Sequence, residues 1–130
     1  MRSTLVLGCS LLGLGQLVRA DEGKPLTAPE ARKKVGETVT VEMTVQAAKD
    51  RLEKRGEIYL DSEEDFKDDK NFAVVITKDG AASLKAAGIA DLAEHFKGKT
   101  IRATGAVKEV DGVPRIEVDD AKQIRVAEGG

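Results

Sequence analysis

From residue 38 to residue 46 the chain reads Thr-Val-Thr-Val-Glu-Met-Thr-Val-Gln, polar and apolar in unbroken alternation. A period of two predicts a half-buried strand with Val39, Val41, Met43 and Val45 on its inner face. Residues 57–61 repeat the period over a shorter length, with Ile58 and Leu60 inward and Tyr59 outward. Residues 71–77 are apolar on both faces and predict a central strand, ended by Asp79-Gly80. Alternation returns over residues 99–108, where Gly105 marks a point at which a barrel strand bends. Val110-Asp111-Gly112-Val113 is a hairpin signal leading into a strand at 115–118, and Pro114 confines the start of that strand to an edge or first position. Residues 121–126 extend or flank the sheet.

Two segments carry helix signals instead. Thr27 stands before Ala28-Pro29-Glu30-Ala31, with proline and an acid in the first turn, and Val35-Gly36 ends a short helix over 28–34. Residues 81–97 are alanine-rich and helical, divided at Gly88 and stopped by Gly98, with Leu84, Ile89, Leu92 and Phe96 inward. Residues 47–56 read as a charged connection, and residues 62–70 as an acidic loop with one apolar residue, Phe66. The order is a short helix, then β-β-β-α-β-β.

Residues 1–20 differ in kind. Arg2 precedes an apolar, glycine-broken run that closes on Val18-Arg19-Ala20, the three-part pattern of a secretory signal peptide. The division expected is therefore signal peptide 1–20, linker and short helix 21–34, a single domain over 35–126 and a tail over 127–130. Removing the leader takes away Arg2 and Arg19 but none of the 23 acids, so the net charge moves from −2 to −4. It also removes Cys9, the only cysteine, and with it disulfides, thiolate metal sites and a cysteine nucleophile. A disulfide scaffold, a multidomain enzyme and a membrane-spanning protein are excluded on these grounds, and the negative charge argues against a strongly basic nucleic-acid binder. The expected address is exported, periplasmic or secreted, with no membrane span in the mature chain.

Several stretches resemble a known family. Val35-Gly36-Glu37-Thr38-Val39-Thr40-Val41 is similar to the start of the first strand in the small bacterial exported OB-fold proteins grouped as nucleic-acid-binding or tRNA-anticodon-binding-like. Phe96-Lys97-Gly98-Lys99-Thr100-Ile101-Arg102-Ala103-Thr104-Gly105 resembles their fourth strand. Val110-Asp111-Gly112-Val113-Pro114-Arg115-Ile116-Glu117-Val118 resembles the final hairpin, and Gln123-Ile124-Arg125-Val126 the close. The resemblance implies a mainly β protein, a five-stranded Greek-key OB barrel of order β-β-β-α-β-β, over residues 35–126. It also implies a binding module, with single-stranded nucleic acid as the ligand class.

In such a barrel the second and third strands and the loops between strands 1–2 and 4–5 carry the ligand. The first loop here holds Lys49, Arg51, Lys54 and Arg55 against Asp50 and Glu53. Tyr59 projects outward beside it, and Arg102, Lys108 and Arg115 are placed on that side of the sheet. One aromatic platform ringed by cations is the minimal kit for stacking a base and holding its phosphates. The candidate ligand-binding residues are therefore Tyr59, Arg51, Lys54, Arg55, Arg102 and Arg115. Other chemistry has no motif. The acidic run Asp61-Ser62-Glu63-Glu64-Asp65, with Asp68 and Asp69, lacks calcium-loop spacing and reads as a solvated charge run. His95 has no second His or Cys and reads as a cation at a helix C-terminus. Ser62 and Ser83 lie in no nucleophile motif. The expectation is a monomeric, non-catalytic binding module without metal or cofactor, for single-stranded nucleic acid or another anionic polymer. The alternative is an envelope or secreted interaction protein that binds an oligosaccharide or another exported protein.

Overall fold

A computed structural model of the chain describes residues 25–127. The leader expected at 1–20, the linker up to residue 24 and the tail over 128–130 lie outside that range. Thr27 opens the described structure with a reciprocal cap. Its hydroxyl accepts from the Glu30 N–H, and the Glu30 carboxylate accepts from the Thr27 N–H at 2.9 Å. The helix it starts, α1 (Ala28–Ala31), is a single turn and stops short of the expected residue 34. Leu26 seats it beside β1 (Thr38–Thr44) by donating to the Thr40 carbonyl and accepting from the Glu42 N–H, both at 2.8 Å.

β1 buries Val39, Val41 and Met43 and pairs antiparallel with β5 (Thr100–Val110), from Thr38 opposite Ala106 to Thr44 opposite Thr100. The chain then changes partner. The Val45 N–H still donates to the Lys99 carbonyl, but the Gln46 N–H donates to that of Asp61, both at 2.9 Å. β2 (Ala47–Arg51) continues on β3 (Glu57–Asp61), with Lys49 opposite Tyr59. The charged stretch 47–56 is therefore not the open connection its composition predicts. It is a strand followed by one helical turn, α2 (Leu52–Arg55), which Gly56 ends at φ 74°. The ladder on β3 overrides a weak β pattern, and charged side chains suit a strand at the end of a sheet.

β3 pairs with β4 (Ala73–Thr77), and β4 lies parallel to β6 (Val113–Val118). β6 returns antiparallel onto the far half of β5 through Asp111 at φ 53° and Gly112 at φ 80°, the left-handed pair that a two-residue hairpin requires. The sheet runs β1-β5-β6-β4-β3-β2, with β7 (Ile124–Val126) added on β5. Seven strands stand where five were expected. The first is divided by its change of partner, and β7 contributes another. No ladder joins β1 to β2, so the sheet is not closed and the chain itself links its two ends at Val45–Gln46. β5 also exchanges partners, pairing with β1 over 100–106 and with β6 over 107–110, two residues after Gly105.

Two helices cover the core. α3 (Lys78–Ala86) begins at Thr77, whose hydroxyl accepts from the Gly80 N–H at 3.2 Å. Asp79 and Gly80 thus belong to its first turn and do not end a strand. α4 (Leu92–Phe96) starts at Leu92, capped by Asp91, buries Leu92 and Phe96, and packs against β2 and β3. Between helices and sheet the core is almost wholly aliphatic, with Phe72 and Phe96 its largest side chains. Among the described residues no helix is long and apolar enough to cross a membrane.

Gly80 is the point of closest approach between α3 and the sheet. A Cβ there would lie 2.0 Å from the Val118 carbonyl oxygen, so α3 has to lift away from the end of β6 to admit one. Gly80→Ala is expected to lower stability by about 1–3 kcal/mol, the usual cost of overpacking. Urea unfolding should show a lower midpoint at an unchanged slope.

Candidate functional site

The pleat of β3, β4 and β6 sends Ile58, Leu60, Val74, Ile76, Ile116 and Val118 into the core and leaves a second layer on the solvent side. At its centre is Val75, fully buried yet outside the core cluster. Tyr59 lies opposite it on β3 and Glu117 beside it on β6. Tyr59 is half-buried beside this apolar floor.

A chain of charged hydrogen bonds crosses the panel. The Tyr59 hydroxyl donates to Glu57 Oε1 at 2.6 Å, and Arg115 Nη2 donates to Glu57 Oε2 at 3.2 Å. The same Arg115 nitrogen reaches Glu117 Oε2 at 2.7 Å, and Lys108 Nζ reaches Glu117 Oε1 at 3.2 Å. Burial pushes the Tyr59 hydroxyl up, and the hydrogen bond to Glu57 adds to the rise. Burial would also raise Glu117, but the hydrogen bonds and charges of Arg115 and Lys108 outweigh it and hold its carboxyl below the usual range. Arg115 is 13 % exposed, and its Nε is buried without a hydrogen-bond partner among the described residues. It is clamped between two carboxylates and orders the panel.

The exposed cations near Tyr59 come from the other side. Arg51 ends β2 opposite Glu57, and the single turn of α2 presents Lys54 and Arg55 to solvent. Hydrogen bonding with the Tyr59 hydroxyl raises the Arg55 guanidinium further above its ordinary value. Lys49, level with Tyr59, reaches over Phe66 with its ammonium 5.0 Å from the ring centroid. Phe66 is 45 % exposed at the tip of the acidic loop and carries Lys67 at 5.7 Å as well. The sequence reading passed it over. Its signal was there: one aromatic inside a run of charges, in a loop with no face to bury.

Asn71 ties that loop down. It is fully buried, with Nδ2 donating to Asp61 Oδ1 at 3.2 Å and to the Phe66 carbonyl at 3.3 Å. Its Oδ1 accepts from the Glu63 N–H at 2.9 Å and from the Ser62 hydroxyl at 3.3 Å, and Arg32 donates to its carbonyl. Asp61, 2 % exposed, has the Lys49 ammonium 4.0 Å from its Oδ2. Burial raises its carboxyl, with Asn71 and Lys49 opposing.

Five of the six candidate residues, Tyr59, Arg51, Lys54, Arg55 and Arg115, belong to this panel or its rim. Arg102 does not. It sits on the half of β5 that pairs with β1, where its Nε donates to Glu42 Oε1 at 2.6 Å. His95 stacks edge-on against Phe96 at 4.7 Å. Among the described residues no three His, Cys, Asp or Glu side chains gather as metal ligands.

No family model and no curated protein matches the chain. Solved structures do share its fold. The asparaginyl-tRNA synthetase of Pyrococcus horikoshii aligns over 79 % of this chain at a TM-score of 0.52 and 15 % identity. The aspartyl-tRNA synthetase of Entamoeba histolytica aligns over 82 % at 0.50 and 18 %. This chain spans 23 % and 22 % of their lengths. At such identities the likeness is one of fold, and it is the OB-like fold that the sequence resemblance implies.

Asp61 yields a pH prediction. An acid whose pKa is higher folded than unfolded binds more protons in the native state across that interval, so its contribution to stability falls as pH rises through it. Between the ordinary aspartate value of about 4 and the raised native value, the wild type should lose stability with rising pH. Asp61→Asn keeps an acceptor for Asn71 and cannot ionise. Urea midpoints across this range should fall less steeply in the variant.

Proposed function

We propose that this chain is an exported, non-catalytic OB-type module that binds single-stranded nucleic acid on the solvent face of β3, β4 and β6. The observation that carries the reading is Tyr59. It is half-buried, opposite buried Val75 in the sheet, level with Lys49 and next to the exposed cations Arg51, Lys54 and Arg55. A half-buried ring whose hydroxyl is tied to Glu57 has little freedom left to lose when a base stacks on it. Phe66, flanked by Lys49 and Lys67, offers a second platform at the rim. Paired bases are inaccessible to such rings, which favours unpaired strands.

The solved structures sharing this fold are tRNA synthetases by name, and this favours the same ligand class. The apolar run at residues 5–18 supports export. The chain as a whole is negative, at −2, so attraction is local to the β2–α2 edge and easily screened.

Tyr59 is the only tyrosine and there is no tryptophan, so its emission reports on the site directly. Adding oligo(dT) to the full chain at low salt should quench that emission, and added salt should restore it. With a labelled oligonucleotide followed by anisotropy, Tyr59→Ala should weaken binding by the ~1–3 kcal/mol of one stacked base, while Tyr59→Phe should keep most of it. Unchanged emission at low salt would refute the proposal and turn attention to an oligosaccharide or a protein partner.

A further inference from the structure

A second cation-lined site lies away from the Tyr59 panel, on the solvent face of β1, β5 and β7. There a cleft of about 300 Å3 opens between Thr40, Arg102 and Thr104 on one side and Lys122 and Arg125 on the other. We infer that this cleft binds a phosphate-type oxyanion.

The register makes the charge arrangement unusual. Glu42 on β1, Arg102 on β5 and Arg125 on β7 stand side by side across three strands. Like charges directly opposite each other destabilise a sheet, and an acid at position 125 would have relieved the strain. Glu42 takes up only Arg102 Nε, at 2.6 Å, and the rest of that guanidinium forms no hydrogen bond among the described residues. Neither Arg125 nor Lys122 forms an ion pair there, and both are exposed. Among the described residues three cations, Arg102, Lys122 and Arg125, line the cleft, with Glu42 the acid level with them, in a chain whose net charge is −2. An oxyanion between the two arginines turns their repulsion into two charge-assisted contacts.

The polar lining suits the same ligand. The Thr40 and Thr104 hydroxyls lie 2.7 Å apart. Whichever donates, the pair uses one proton between them and leaves the other O–H to donate into the cleft. The far wall is fixed in advance. Gln123 Nε2 donates to the Thr104 and Glu117 carbonyls, both at 3.0 Å, and its Oε1 accepts from the N–H groups of Asp119 and Asp120 at 2.8 and 3.1 Å. These four bonds hold the turn Ala121–Gln123 against β5, so Lys122 is carried on a rigid support. Asp120 is engaged in capping that turn, and Asp119 accepts from the Thr77 hydroxyl, which keeps both carboxylates occupied elsewhere.

The test uses inorganic phosphate and the full chain. Titrating phosphate at low ionic strength should move the backbone amide resonances of Thr40, Thr104 and Arg125 in a saturable way and leave Tyr59 emission unchanged. Arg125→Glu supplies the acid that the register lacks opposite Arg102, so the variant should fold with an undiminished melting temperature. Its phosphate affinity should fall about tenfold or more, the factor for one lost charge-assisted hydrogen bond. Absence of saturable shifts, or equal affinity in the variant, would overturn the assignment. An oligonucleotide titration then identifies the source of the phosphate. A salt slope reduced by about one in Arg125→Glu assigns it to a nucleic-acid backbone, and an unchanged slope assigns it to a free phosphoanion, either result upholding the site. Because Tyr59 reads the other panel separately, failure here and failure of the binding face are distinguishable.

Discussion

The solvent surface of this protein depends on one change of hydrogen-bonding partner. At Val45 the backbone is still bonded to Lys99, and one residue later it is bonded to Asp61. Each N–H and C=O must find a partner as the sheet curves, and a strand this long cannot keep one neighbour throughout. The exchange is anchored from below, because the Gly98 N–H donates to the Val45 carbonyl at 2.8 Å, just after α4 ends. β5 makes the matching exchange between residues 106 and 107. Together they split the outer face into a β2-β3-β4-β6 panel, which takes the far half of β5, and a panel of β1, the first half of β5 and β7. The two panels carry different chemistry.

Most of the inner face was legible from the sequence because period-two burial leaves an unambiguous trace. Val39, Val41, Met43, Val45, Ile58 and Leu60 are buried, as their alternation requires. The segment β2 was not legible. Ala47-Ala48-Lys49-Asp50-Arg51 has no alternation, and only the presence of β3 beside it makes it a strand. Asp79-Gly80 misled for a related reason. The pair is a common turn signal, but Thr77 caps a helix across it and Val118 needs the missing side chain.

The outer face was harder to read, since side-chain partners depend on register between distant strands. Arg115 reads as a free cation in the sequence, yet Glu57 and Glu117 flank it on either side. Arg102 reads as its companion because both sit in alternating strands. The partner exchange in β5 sends them to different panels. Conversely, nothing in the local sequence says that Arg125 faces Arg102, because residues 102 and 125 meet only through β7. Electrostatic sites assembled across strands are thus the part of this protein that a linear reading least resolves.

The same topology governs when the fold can form. The ladder that holds β1 requires residues 100–106, and the parallel ladder that holds β4 requires residues 115–118. β2-β3-β4, with α2 between, and the β5-β6 hairpin are the contiguous stretches of chain that can pair with themselves. A ribosome delivers the chain from its amino end, so the first strand written is left without its neighbour until the last quarter of the described sequence has emerged. Pairings this remote along the chain are slow to close, because the loop entropy is lost before the contacts are gained. The β1-β5 and β4-β6 ladders, which complete the outer panels, therefore close only after most of the described chain has been made.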